Sequence, residues 1–241
     1  MPCNPAPAGR HCPGWPTPCP GRKRSCWCRH TGKAASCWSP AAHSPKPGMT
    51  STVSHRPVCG AVPGAGEPGL AGQVSERLKA AGLPARLDMQ RPFDHGAWVP
   101  LSLMYPDASI PVVQVSLPSH MGPALQLKVG QALAGLRTED VLLIGSGSIT
   151  HNLGELDWHA GPDVIEPWAL AFRDWVVDRL QEDDQAALLD YRQQAPFAVR
   201  NHPSDEHLLP LFFALGAGSK FGVVHQGFTL GALGMDIYRF D

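Results

Sequence analysis

The chain has 241 residues, with 20 Lys or Arg against 21 Asp or Glu and a formal net charge of −1 at neutral pH. That balance averages two unlike parts: residues 1–66 hold eight basic residues and no acid, giving +8, while 67–241 hold twelve basic residues against all twenty-one acids, giving −9. No apolar run is long enough for a signal peptide or a membrane span, and a body of about 175 residues is long enough to bury a substantial core.

Residues 1–66 are rich in Pro, Gly, Ser, Arg, Cys and Trp, and no Leu, Ile or Phe occurs before Leu70. No strand or helix period is legible there, and the prolines interrupt both. All seven cysteines lie in this segment, an odd number at irregular spacing that fits no disulfide framework. Cys26-x-Cys28-x-His30 has ligand types but no second pair at finger spacing, so a structural zinc is not expected. The segment is expected to be disordered. One reading makes it a basic tail for nucleic acid or acidic partners. The favoured reading is out-of-frame translation of GC-rich DNA, which yields this mixture and accounts for the abrupt change near Gly64–Glu67.

From Pro68 onward the pattern is that of an α/β domain over residues 67–241, a central mixed sheet flanked by helices. Leu70, Val74, Leu78 and Ala81 recur at helical spacing, with Gly82 as a stop. Residues 85–89 read as a short strand. Asp94 stands to cap a short helix ending near Tyr105-Pro106. Residues 111–117 read as a strand and 122–136 as an amphipathic helix. Val141-Leu142-Leu143-Ile144 reads as a strand buried on both faces, broken by Gly145-Ser146-Gly147-Ser148. Helices are expected over 163–180, 182–191 and 204–216, the last with a Ser cap and an acidic first turn, and 195–203 is expected to be a loop. Two strands, 221–228 and 234–240, close the chain.

His95, His151 and His207 stand beside strand ends or helix starts, and ligands bind outside the carboxyl ends of strands in open α/β sheets. Neutral imidazole suits Fe, Zn, Cu and Ni, and it shuttles protons near neutral pH. Asn152 either fixes a tautomer of His151 or caps the next turn, the cap being favoured. His120, His159, His202 and His225 stand in less suggestive settings. The Gly-Ser run at 145–148 is neither a nucleophile elbow nor a phosphate loop, which disfavours a serine hydrolase or a nucleotide enzyme.

Three motifs in order, Phe93-Asp94-His95-Gly96-Ala97-Trp98, Gly145-Ser146-Gly147-Ser148-Ile149-Thr150-His151-Asn152 and Asp205-Glu206-His207-Leu208-Leu209-Pro210, together with the ending Gly227 to Tyr238, resemble the class III extradiol ring-cleaving dioxygenases. The likeness is closest to the DOPA 4,5-dioxygenase-like branch of the LigB-type superfamily and runs from about residue 65 to 241. The resemblance implies an α/β fold and one mononuclear Fe(II) or Zn(II) site, with O2 as co-substrate and a small aromatic ortho-diphenol as substrate. It implies His151 and His207 as metal ligands, and His95 and His151 as acid/base groups. A cytoplasmic setting is expected from the Cys-free body. No membrane partner is expected and nucleic acid is disfavoured, while nothing fixes an oligomeric state.

The family also begins with strands ending in His-Gly-Ser-Pro and Ser-Ala-His-Trp, each with a ligating His. Neither occurs in residues 1–66, and His30, His43 and His55 inherit no role. Two ligands and two strands are thus expected to be missing. The alternatives are a non-catalytic relative and a binding protein that uses its basic tail.

Overall fold

The computed structural model describes residues 24–30, 37–38, 66–88, 90–161 and 163–241. Their elements are β1 (Arg24–His30), β2 (Cys37–Trp38), α1 (Pro68–Ala80), β3 (Leu87–Asp88), α2 (His95–Met104), β4 (Val112–Leu117), α3 (Gly122–Leu133), β5 (Val141–Gly145), α4 (Pro167–Gln181), α5 (Gln185–Leu189), α6 (Tyr191–Gln194), α7 (Ala198–Asn201), α8 (Leu209–Ala217), β6 (Phe221–His225), β7 (Phe228–Thr229), β8 (Leu233–Gly234) and β9 (Ile237–Phe240). The five-stranded sheet runs β3-β2-β4-β1-β5 and is mixed: β1 is parallel to β4 and β5, and β2 is antiparallel to β4. An antiparallel pair, β6 with β9, and a small β7–β8 pair complete the strands. Helices and sheet together match the expected α/β architecture.

β4 shows how the sequence divides the layers. All six of its residues are buried, and alternate side chains take opposite faces. Val113, Val115 and Leu117 join the main core with Leu70, Val74 and Leu78 of α1, Val129 and Leu133 of α3, and Phe212 and Phe213 of α8. Val112 packs on the other face with Phe93, Ala97 and Leu101, so α2 covers that side. Each buried Leu or Phe contributes about 1.5–3 kcal/mol through apolar surface removed from water. The helices α3 and α8 touch backbone to backbone: a Cβ at Gly130 would meet the Phe213 carbonyl oxygen at 2.1 Å, and one at Gly216 would meet that of Leu127 at 2.1 Å.

Several expectations need correction. Residues 24–30, where no strand period is legible, form the strand between β4 and β5, with Ser25 opposite Val112 and Cys28 opposite Gly145. A ladder is made by backbone groups and does not depend on side-chain alternation. Residues 1–23, 31–36 and 39–65 lie outside the described residues, as do the side chains of Cys26, Cys28 and His30, so the disorder and zinc expectations fall there. β5 is not buried on both faces: it is the last strand in the order, and residues 142–145 are only half-buried.

The 163–180 helix starts later, with Pro167 in its first turn. The 182–191 helix is shorter than expected: α5 covers Gln185–Leu189, capped by the Asp184 carboxylate accepting from the Ala187 N–H, and the separate turn α6 starts only at Tyr191. The 195–203 loop holds the single turn α7. In 204–216 a 3₁₀ turn at Asp205–His207 precedes α8. Pro210 has no N–H to continue a helix from that turn, and the Ser204 hydroxyl donates to Glu206 Oε1 rather than capping the backbone.

Candidate active site

The site lies at the carboxyl ends of β4, β1 and β5. Ser146 Oγ donates to the Gly96 carbonyl at 2.7 Å, tying the exit of β5 to the first turn of α2. Ser148 N donates to the His207 carbonyl at 2.9 Å, tying the same exit to the 3₁₀ turn before α8. Gly147 makes that approach possible, since a Cβ there would stand 2.1 Å from the His207 oxygen. Gly147→Ala must displace backbone, with an expected cost of about 1–3 kcal/mol. A thermal melt measures this, and an unchanged midpoint would contradict it.

Thr150 anchors the next step: its hydroxyl donates to the Ala232 carbonyl at 2.7 Å and accepts from Gly234 N at 2.7 Å. His151 N then donates to the Asn201 carbonyl at 3.1 Å. Asn152 caps the following turn as expected, its Oδ1 accepting from Gly154 N at 3.1 Å while its Nδ2 donates to the Arg200 carbonyl at 2.6 Å.

These bonds deliver the His151 ring onto the His207 ring. The two stack with centroids 3.5 Å apart and an interplanar angle of 8°. Glu206 Oε1 lies 3.7 Å from His207 Nδ1. Burial pushes the His151 imidazole below its ordinary range, the Glu206 carboxylate opposes that, and His95 adds to it. His95 therefore lies within electrostatic reach of His151.

His95 opens α2, and its position is fixed from the sheet. The Asp94 carboxylate caps the helix by accepting from Ala97 N at 3.3 Å. Gln114, a polar residue only 1 % exposed in β4, grips Asp94 at both ends. Its Oε1 accepts from Asp94 N at 3.2 Å, and its Nε2 donates to Asp94 Oδ2 at 3.3 Å. Sequence reading missed Gln114, whose only signal is an amide inside an otherwise apolar strand. It also placed His202 among the less suggestive histidines, yet that residue is fully buried and within electrostatic reach of His151.

Three imidazoles, from the start of α2, the loop after β5 and the 3₁₀ turn before α8, can exchange protons with a small polar ligand. As placed, they do not hold a metal. A metal lies in the plane of each imidazole that binds it, about 2.1 Å from the nitrogen, and two planes stacked 3.5 Å apart at 8° share no such point. Among the described residues, no group of three His, Cys, Asp or Glu side chains is placed to hold a metal ion. Nor, among them, is any helix long and apolar enough to cross a membrane.

Comparison with known proteins gives the context. Residues 52–241 match the family described as the catalytic LigB subunit of aromatic ring-opening dioxygenase. A Beta vulgaris protein named 4,5-DOPA dioxygenase extradiol is 40% identical over 179 residues, covering 73% of this chain and 66% of the relative. The protein of the same name from Escherichia coli K12 is 37% identical over 180 residues, covering 72% and 65% respectively. The chain thus spans about two thirds of the length of these curated relatives. The crystal structure of uncharacterized protein JW3007 from Escherichia coli K12 aligns with a TM-score of 0.72 at 29% identity, over 93% of this chain and 87% of that one. The chain belongs to the family of the catalytic LigB subunit of aromatic ring-opening dioxygenase.

Proposed function

We propose that this domain is built for extradiol ring opening: O2-dependent cleavage of a small ortho-diphenol, with both oxygen atoms retained in the product. The observation that carries it is the convergence of His151, His207 and His95 at one sheet edge. Relatives named 4,5-DOPA dioxygenase extradiol support a DOPA-like catechol. The family relation supports a metal-dependent reaction, with Fe(II) or Zn(II) as the ion. In this chain His151, kept neutral by burial, accepts a proton from a catechol hydroxyl. His95, across from it, returns a proton to the opened product. His207 and His151 are the two residues that would hold the metal, and their stack would have to open for both to bind one ion. His151 would take the catechol proton only where its lone pair is not on that ion. The Cys-free body fits a reducing cytoplasm.

We also propose that residues 1–66 are read out of frame, so that this chain carries one wall of the site. The genetic code supports this. Codons for Cys26-Trp27-Cys28, read one base upstream, give Leu or Val or Met, then Leu, then Val without ambiguity at the last two. With a CGN codon for Arg29, the next four permit Ser-Ala-His-Trp, the family's second motif. That histidine would follow the last position of β1, whose backbone already lies between β4 and β5. The family match begins at residue 52 and the composition changes at 67, and on this reading the frame change falls at the end of that interval.

The test is an oxygen electrode with DOPA and simple catechols, run on this chain and on a frame-restored one loaded with Fe(II). The restored chain should consume O2 and yield a product carrying both atoms of labelled O2, and this chain should do neither. A restored chain that folds, binds metal and leaves every catechol untouched would contradict the enzymatic reading. It would instead favour a non-catalytic relative. A salt-sensitive nucleic-acid shift lost on deleting residues 1–66 would favour the functional-tail alternative.

A further inference from the structure

Among the described residues His202 is the one histidine with no exposed surface. Its Nε2 lies 2.9 Å from the Ile149 carbonyl oxygen. A carbonyl only accepts, so Nε2 must carry the proton, and Nδ1 is left as a buried lone pair with no hydrogen-bond partner. The two preceding residues hold the same loop: the Asn201 carbonyl accepts from His151 N at 3.1 Å, and the Arg200 carbonyl accepts from Asn152 Nδ2 at 2.6 Å. Residues 200, 201 and 202 thus bind positions 152, 151 and 149 in turn. Five residues past His202 the same chain supplies His207, whose ring stacks on that of His151.

We propose that His202 is a positioning residue: as the neutral Nε2–H tautomer it donates to the Ile149 carbonyl and so sets the strand-exit loop that lays His151 against His207. This rests on the reading of His151 as a reactive group. Packing alone does not call for an imidazole here. The neighbouring Phe172 ring, 5.5 Å away and tilted by 57°, would accept an apolar side chain. Burying the imidazole has a cost, seen in its pKa, which burial pushes down to about 4. That cost is offset where the donor is needed. Glutamine can present an amide N–H where Nε2 stands, whereas leucine fills the space without a donor.

The experiment uses the full chain with nitrogen-labelled histidine. Long-range nitrogen–proton correlation should show His202 protonated on Nε2 alone. His202→Leu should speed amide exchange at His151 by about tenfold, the worth of one buried hydrogen bond. It should also shift the ring signals of His151 and His207, with exchange at Phe172 unchanged, and His202→Gln should restore both. An Nδ1–H tautomer would overturn the proposal, as would a Leu variant with unaltered His151 exchange or a folded Gln variant that restores nothing. If the Leu variant fails to fold, the tautomer and the Gln variant still decide. In the frame-restored chain the Leu variant should lower kcat with little change in KM. These ring and exchange signals exist whether or not any catechol is turned over, so a failure of the enzymatic reading is distinguishable from a failure of this one.

Discussion

His151→Ala, in a chain whose upstream frame is restored, is expected to lower catechol-dependent O2 uptake by about a hundredfold or more, the worth of one positioned acid/base group. His95→Ala should cost a similar factor. Three features carry this expectation for His151. Its ring is buried enough to stay neutral near neutral pH, so it is ready to accept a proton. It lies against His207 and within electrostatic reach of His95. Its backbone N–H is held by the Asn201 carbonyl, a bond that substitution of the side chain leaves in place. The loop should therefore keep its course in the variant, and a melt near that of the parent would separate lost chemistry from lost fold. Uptake within about threefold of the parent would remove that histidine from the mechanism.

The second large effect is on acid stability. Burial pushes the His202 imidazole from 6.5 down to about 4. The groups around it act in both directions: the Ile149 carbonyl and Glu206 raise it, while His151 and Arg192 lower it. Between about pH 6.5 and pH 4 the unfolded chain binds a proton on this residue that the folded chain does not, so stability falls as pH falls through that window and levels off below it. The loss should approach about 3 kcal/mol. His151, also lowered by burial, adds a smaller loss of the same sign. Urea unfolding at about pH 7 and about pH 4.5 should show His202→Gln losing about 2–3 kcal/mol less than the parent. Parallel losses in the two proteins would contradict this.

Local chemistry made most of the body legible. Leu70, Val74 and Leu78 announce α1, the Asp94 cap announces α2, and the apolar run at 112–117 announces β4. What failed was nonlocal. An apolar run such as 141–144 reads the same at a sheet's centre and at its edge, and only the partner strands decide. The 204–216 segment breaks at Leu208, between the 3₁₀ turn and α8, where the His207 carbonyl accepts from Ser148 N, a contact 59 positions away in the sequence. β1 was invisible because its ladder partners, not its side chains, define it.

The site divides in the same way. His95, His151 and His207 were legible through three motifs in order, although no spacing between them implies contact. Gln114 and His202 were not legible as site residues. Each acts through hydrogen bonds to a distant residue, Gln114 through two to Asp94 and His202 through one to the Ile149 carbonyl. An amide inside an otherwise apolar strand is the sequence trace of Gln114, whereas His202, between Asn201 and Pro203, leaves none.

The claim on which the rest depends is that the wall opposite His151 is encoded in another frame. Peptide mass spectrometry of the protein isolated from its source tests it most directly. The expected spectrum has peptides from residues 67–241 joined upstream to a sequence containing Leu-Val followed by a histidine at the end of β1, and none from residues 1–66. A peptide carrying Ser25-Cys26-Trp27-Cys28-Arg29, joined through residue 66 to the body of the chain, would contradict it.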